Sequence, residues 1–231
     1  MHRFLCLSIL LAGMFFYVGS HAAEPAPAPA ITTGDQLGPQ IEQPIEFPHF
    51  RHAGDNNPNV PEEQRGMEIN CMYCHTYARR SMVAGIPPLR KCIGCHQSIE
   101  SVRNKPRIKK LFEYWGFTDE DEKNGKSPDN ANDPDAGKNA KAIPWKKVHD
   151  LPDFVRFNHE RHIQRFVFQQ GRPVQEACGY CHGDIKTMTV ARRQKPLTMG
   201  WCAECHQKDH KVSATSTQTG HGPNDCFTCH K

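Results

Sequence analysis

Five copies of one short pattern constrain this chain more than any other feature. They read Cys71-Met-Tyr-Cys74-His75, Cys92-Ile-Gly-Cys95-His96, Cys178-Gly-Tyr-Cys181-His182, Cys202-Ala-Glu-Cys205-His206 and Cys226-Phe-Thr-Cys229-His230. C-x-x-C-H is the attachment signature of c-type haem. Two thiols three positions apart reach the two vinyl groups on one porphyrin edge, and the adjacent imidazole reaches the iron from one face. Zinc pairs do not require a histidine directly after each C-x-x-C. A thioredoxin-like site wants one C-x-x-C near a βαβ pattern, and the sequence has none. A disulfide framework remains the rival for an exported chain. The spacing thus predicts five covalent haem c groups, attached at Cys71, Cys74, Cys92, Cys95, Cys178, Cys181, Cys202, Cys205, Cys226 and Cys229. The proximal iron ligands are then His75, His96, His182, His206 and His230.

Composition points the same way. Only 37% of the 231 residues are hydrophobic, against about 45–50% in ordinary globular domains. Eleven cysteines and fourteen histidines are far more than such a domain carries. A core built from side chains alone would be thin, so the haems are expected to fill it. The mean hydropathy of −0.68 excludes a polytopic membrane protein. A formal charge of +4, with no nucleic-acid motif, gives no reason to expect nucleic acid as a partner. Each ferric haem c adds about −1 once its propionates ionise, which brings the loaded chain near neutral.

The N-terminus carries an export feature. Arg3 precedes an uncharged run from Phe4 to Gly19, and Ser20-His21-Ala22 offers small residues at the cleavage positions. Residues 1–23 read as a cleaved signal peptide or, since the run is marginal for a membrane span, as an N-terminal anchor. Residues 24–40 read as a Pro-rich spacer. Cys6 lies within the apolar run and reads as an ordinary apolar residue there.

A duplication organises the rest. Phe47-Pro-His49-Phe-Arg-His52 is followed by the motifs at Cys71 and Cys92; Phe157-Asn-His159-Glu-Arg-His162 is followed by those at Cys178 and Cys202. The copies are offset by 110 residues at the histidines and at the second motif, and by 107 at the first. The pattern predicts a dihaem unit over 41–102 and a trihaem unit over 143–231, the latter a dihaem repeat plus a C-terminal fifth haem. Between them, 103–142 is a linker with a polar insertion. Its start, 103–115, is basic and then amphipathic, and reads as a short helix. The basic run from Arg103 to Lys110 is either a solvated face or a docking patch. Residues 118–142 lack periodicity and read as a mobile surface insertion. Gly and Pro total 35 residues, and no long strand alternation exists, so secondary structure is expected to be mostly irregular with short α-helices.

Five irons need sixth ligands. The i, i+3 spacing of each F-x-H-x-x-H pair puts both imidazoles near one face of a helical turn. With His149, these give five expected distal ligands: His49, His52, His149, His159 and His162. His210 and His221 are reserves, and Met199, then Met188 and Met82, are the candidate thioether replacements.

The phrases around these motifs resemble a known family. Gln43-Pro-Ile-Glu-Phe-Pro-His49-Phe-Arg-His52-Ala-Gly is similar to the start of class III-type multihaem cytochromes. Ile69-Asn-Cys71 through Ser81-Met-Val-Ala-Gly-Ile-Pro-Pro, Pro144-Trp145-Lys-Lys-Val-His149-Asp-Leu-Pro-Asp-Phe-Val-Arg-Phe-Asn-His159 and Leu197-Thr-Met199-Gly-Trp201-Cys202 narrow the likeness. Together they resemble the pentahaem cytochrome subunit of alternative complex III, a quinol:electron-acceptor oxidoreductase, over about residues 40–100 and 143–231. The polar stretches at 55–66 and 118–142 are larger than that family leads one to expect, and the N-terminal apolar run is shorter than its usual anchor.

The resemblance implies a class III fold built around stacked haems, with His49, His52, His159 and His162 as distal ligands. It also implies a haem wire on the periplasmic side of the bacterial inner membrane, not itself an enzyme. The implied partners are a quinol-oxidising polytopic subunit, an iron–sulfur subunit, and a monohaem cytochrome c or terminal oxidase. The rival readings are a soluble periplasmic shuttle and a multihaem oxyanion reductase.

Overall fold

The computed structural model describes Gly38 and residues 41–128, 135–208 and 210–231. The signal or anchor expected over 1–23 lies outside the described residues, as does the spacer over 24–40 apart from Gly38. The chain divides into two units, 1–30 and 31–231, and every described residue belongs to the second. Among the described residues no helix is long and apolar enough to cross a membrane.

The helices are short. In chain order they are α1 (His49–Ala53), α2 (Cys71–Cys74), α3 (Leu89–His96), α4 (Glu100–Arg103), α5 (Pro106–Trp115), α6 (Asp119–Lys123), α7 (His159–Ile163), α8 (Val174–His182), α9 (Met199–Gln207) and α10 (Cys226–Cys229). A π-helical segment, Gln164–Gln169, continues α7. The strands β1 (His210–Lys211) and β2 (Thr219–Gly220) pair antiparallel, His210 opposite Gly220. Proline explains several boundaries: Pro48, Pro88 and Pro173 stand at the N-caps of α1, α3 and α8. Pro106 opens α5, where the missing N–H costs nothing.

The buried apolar side chains are few and unevenly placed. Ile45, Ile93, Leu111, Phe112, Trp115 and Phe117 form one cluster, joined by Leu89, Ile108, Ile143 and Trp145 at its edge. On α5, Ile108, Leu111, Phe112 and Trp115 follow i, i+3, i+4, i+7, so one stripe faces α3. Gly116, at φ 82°, then ends the helix in the left-handed conformation. From residue 143 onward, only Ile163, Val174 and Ala177 are buried apolar residues among those described. Ten large apolar side chains are instead about half exposed or more, from Met67 and Tyr73 around the first motif to Phe227 (84%) in the fifth.

The linker is more ordered than its composition suggests. Thr118 and Asp121 form a reciprocal capping box that starts α6. Gly137, at φ 74°, lies flat on the Trp115 ring, where a Cβ would overlap the indole. The Trp115 Nε1–H donates to the Pro128 carbonyl. Residues 129–134 lie outside the described residues. Three of the basic charges expected on this stretch are matched within the chain, Arg103 by Glu122 at 3.1 Å, Arg107 by Glu46 at 2.5 Å and Lys109 by Asp119 at 3.7 Å. The 55–66 stretch closes on itself: Gly66 N–H donates to Asp55 O at 2.9 Å, and Arg65 reaches the carbonyls of Val60 and Pro58 at 2.8 and 2.9 Å.

The two repeats exchange their helices. Helix α1 packs on the turn after the third motif, 185–187, and α7 packs on the turn after the first, 76–79. Phe50 N–H donates to Met188 O at 3.1 Å, and Glu160 N–H donates to Ser81 O at 3.1 Å. Phe50 and Glu160 are repeat equivalents, as are Met188 and Ser81. The same bond is therefore made twice with the units reversed, as across an isologous interface. The equivalent thiols Cys71 and Cys178 meet where the units join.

Candidate haem sites

Each C-x-x-C-H spans one helical turn. In α2 the Asn70 side chain accepts from Met72 N–H at 2.9 Å, and in α10 Asp225 accepts from Thr228 N–H at 2.8 Å. Thr198 caps α9 through Trp201 N–H at 3.4 Å. The His75 and His230 amides close the turn on the carbonyls of Cys71 and Cys226, at 2.9 and 2.8 Å. Residues three apart on a turn lie on one side of it, so both thiols of a motif face the same way. None of the ten motif cysteines is in a disulfide.

The F-x-H-x-x-H segments are built alike. Phe47 stacks on His52 (4.4 Å between centroids, 22°) and meets His49 edge-on (4.9 Å, 84°). Phe157 stacks on His162 (4.6 Å, 22°) and meets His159 edge-on (4.8 Å, 88°). The phenylalanine thus holds the two imidazoles of each segment at nearly right angles to one another.

Three of these histidines face motif histidines across a gap. Ring centroids are 6.1 Å apart for His52 and His96, 6.3 Å for His159 and His182, and 6.1 Å for His162 and His206. Two imidazoles on opposite sides of one iron, each with a metal–nitrogen bond of about 2 Å, would have centroids about 6.2 Å apart. His49 is the repeat equivalent of His159, which makes His75 its counterpart. Burial lowers the His49 pKa to about 4, with His75 the first charged neighbour adding to that. Among the described residues no imidazole stands at this spacing from His230, whose ring stacks on Phe154 at 5.7 Å.

Five of these histidines have their ring nitrogens sorted as metal ligation requires, while the Nδ1 atoms of His49 and His96 are buried without a partner. The Nδ1 atoms of His52, His162 and His159 contact the carbonyls of Pro48, Asn158 and Met82 at 3.0, 2.8 and 2.8 Å. Those of His75 and His206 contact the carbonyls of Gly85 and Pro223 at 2.7 and 2.8 Å. A carbonyl only accepts, so each Nδ1 carries the proton and Nε2 presents its lone pair. This is the outer-shell arrangement that fixes tautomer and ring orientation at metal sites. At His206 it depends on close approach: a Cβ on Gly222 would come within 2.6 Å of the His206 ring.

The other candidates differ. His149 points Nε2 at His182 Nδ1, 3.2 Å away, with ring centroids 4.3 Å apart. His210 spends Nε2 on the Cys205 carbonyl at 3.0 Å, and His221 Nδ1 contacts the Gln207 carbonyl at 3.0 Å. Met199 is 74% exposed, and Met82 is also exposed, its carbonyl serving His159.

Burial and neighbouring thiols dominate the electrostatics. Desolvation pushes Cys92 up to about 11, helped by Cys74, and Cys181 up to about 12, helped by Cys205 and Cys202. Cys71 and Cys178 share a hydrogen bond, so Cys71 falls to about 7 and Cys178 is raised. His182 drops to about 3 through burial and then the charges of His149, His159, His75 and His49. Among the described residues no three His, Cys, Asp or Glu side chains converge to hold a bare metal ion. A haem iron asks less of the protein, because the porphyrin supplies four of its ligands.

Sequence reasoning missed one polar trio beside the third motif. Arg172 pairs with Glu176 at 2.6 Å, Tyr180 O–H donates to Glu176 at 2.7 Å, and Arg172 also reaches the Tyr180 oxygen. The spacing i, i+4, i+8 was the available signal.

No protein-family model matches the chain, and no curated protein matches it.

Proposed function

We propose that this chain is an exported electron-relay protein carrying five covalent haem c groups, and that it serves as the haem-wire subunit of a quinol-oxidising respiratory complex. The observation that carries the reading is the set of three imidazole pairs at 6.1–6.3 Å, each between an F-x-H-x-x-H histidine and a motif histidine. Bound haem iron would cycle between ferric and ferrous, one electron at a time. At four of the five sites the protein would fix two ligating nitrogens in advance, so that little rearranges there when the charge changes. His52, His159 and His162 would hold three of the irons together with His96, His182 and His206, and His49 would hold a fourth with His75.

The thin core supports the same reading. A half-molecule whose described residues include three buried apolar side chains needs something else at its centre. The half-exposed Met, Tyr, Val and Phe side chains around the motifs are suited to lie against porphyrin faces. Thiol neighbours support an order along the wire. Cys74 acts on Cys92, Cys71 and Cys178 share a hydrogen bond, Cys202 acts on Cys181, and Cys229 acts on Cys202. That order runs Cys92, Cys71, Cys178, Cys202, Cys226, with the second and fifth motifs at the two ends.

The test is fractionation of native membranes with haem-stained native gels. The pentahaem polypeptide is expected to stay with membranes through high salt and to migrate with polytopic and iron–sulfur partners. A polypeptide that washes off alone would favour a soluble shuttle instead.

A further inference from the structure

We propose that His149 is a positioning residue for His182, accepting a hydrogen bond from its Nδ1–H, and not an axial ligand. The inference rests on the haem reading above and changes the role expected for this histidine from sequence. A distal ligand would stand across an iron from a motif histidine, about 6.2 Å between centroids, with Nε2 aimed at the metal. His149 stands 4.3 Å from His182 at an interplanar angle of 79°, and its Nε2 meets His182 Nδ1 at 3.2 Å. The 6.3 Å position opposite His182 is held by His159.

The repeat shows which role is being filled. His75 is the equivalent of His182, and its Nδ1 contacts the Gly85 carbonyl at 2.7 Å. His206 uses the Pro223 carbonyl at 2.8 Å. Among the described residues no backbone carbonyl takes that place at His96 or at His182; at His96 Nδ1 is left without a partner, and at His182 the His149 imidazole stands there. To accept, His149 carries its own proton on Nδ1 and leaves the Nε2 lone pair for His182. The segment is pinned at Lys146, whose N–H donates to Gln43 Oε1 at 2.9 Å while Gln43 Nε2 donates back to Lys146 O at 3.0 Å. Trp145, just before it, packs on the hydrophobic cluster. An acceptor on Nδ1–H makes the ligating Nε2 more basic, which favours the ferric state and lowers the potential of that haem.

The experiment compares the full-length holoprotein with His149→Ala and His149→Gln. Intact mass first counts haems in the wild type; fewer than five would count against the haem reading itself, separately from this inference. In His149→Ala every haem that is low-spin in the wild type stays low-spin, and carbon monoxide forms no new ferrous adduct. One midpoint potential rises, the others hold, and His149→Gln, whose amide oxygen can accept, brings it part of the way back. If His149→Ala does not load fully, the spectra of His149→Gln decide: low-spin without a new adduct supports the proposal. A new high-spin haem with a carbon monoxide adduct in either variant would make His149 an axial ligand. Five unchanged potentials in His149→Ala would leave it without a role. Either result overturns the proposal.

Discussion

At the residue scale, the occupied nitrogen of each histidine decides what its ring can hold. His52 and His162 hold their Nδ1 protons on the carbonyls of Pro48 and Asn158, four residues back, so Nε2 is presented outward by the first helical turn itself. Replacing either by alanine should open one iron only. His52→Ala and His162→Ala are each expected to convert one haem of five to a high-spin form that binds carbon monoxide, read by the ferrous difference spectrum. No new adduct in either variant would contradict the pairing with His96 and His206. Gly222 offers a subtler residue-scale test. A methyl there must displace the His206 ring, so Gly222→Ala should shift one midpoint potential without loss of haem. That His52, His159 and His162 face motif histidines follows a short, repeated spacing that the sequence displays. The placement of His149 was not legible, because nothing local in Trp145-Lys-Lys-Val-His149 distinguishes a ligand from a neighbour of a ligand. That difference is set by Gln43, 103 residues away, clasping Lys146.

At the element scale, the helices are one to three turns long and depend on their caps. Asn158 accepts from Arg161 N–H at 3.3 Å at the start of α7, the helix that carries both distal histidines of the second repeat. Asn158→Ala is expected to cost about 1 kcal/mol of stability in denaturant titration. Trp115 anchors the linker to the one hydrophobic cluster, and Trp115→Ala is expected to cost roughly 3–5 kcal/mol. The trio on α8 gives a pH signature. Burial and the Glu176 hydrogen bond push Tyr180 up to about 12. The unfolded tyrosine loses its proton near 10, so between about 10 and 12 the folded state holds more protons and stability falls as pH rises. The melting temperature should drop less steeply over that window in Tyr180→Phe than in the wild type. Element type was readable wherever period or capping was strong, as in the i, i+3, i+4, i+7 stripe of α5. The linker's contacts were not readable, because Gly137 meets Trp115 through backbone shape and not through any apolar pattern.

At the scale of the whole molecule, the repeat is more than a duplication. Each copy lends its F-x-H-x-x-H helix to the other, through the matched bonds Phe50 to Met188 and Glu160 to Ser81. The sequence offsets announce two units, yet exchange and side-by-side packing share the same offsets, so the sequence alone does not choose between them. The exchange makes a physical claim. A chain cut at a protease site engineered at Gly125, in the linker, should keep its two pieces together on a native gel, because the contacts between repeats do not depend on the linker. Two pieces that separate would mean that the linker, not the exchange, holds the repeats. Among the described residues most buried apolar side chains gather around α3 and α5, and the second repeat has Ile163, Val174 and Ala177.

On the proposed function, the ten motif thiols hold five haems. Intact-mass measurement of the exported protein, with thiol alkylation under denaturing conditions, tests it most directly. The account predicts a mass raised by five haem increments and no alkylation at any motif cysteine. A chain of unmodified mass whose motif thiols all take up the alkylating agent would contradict it.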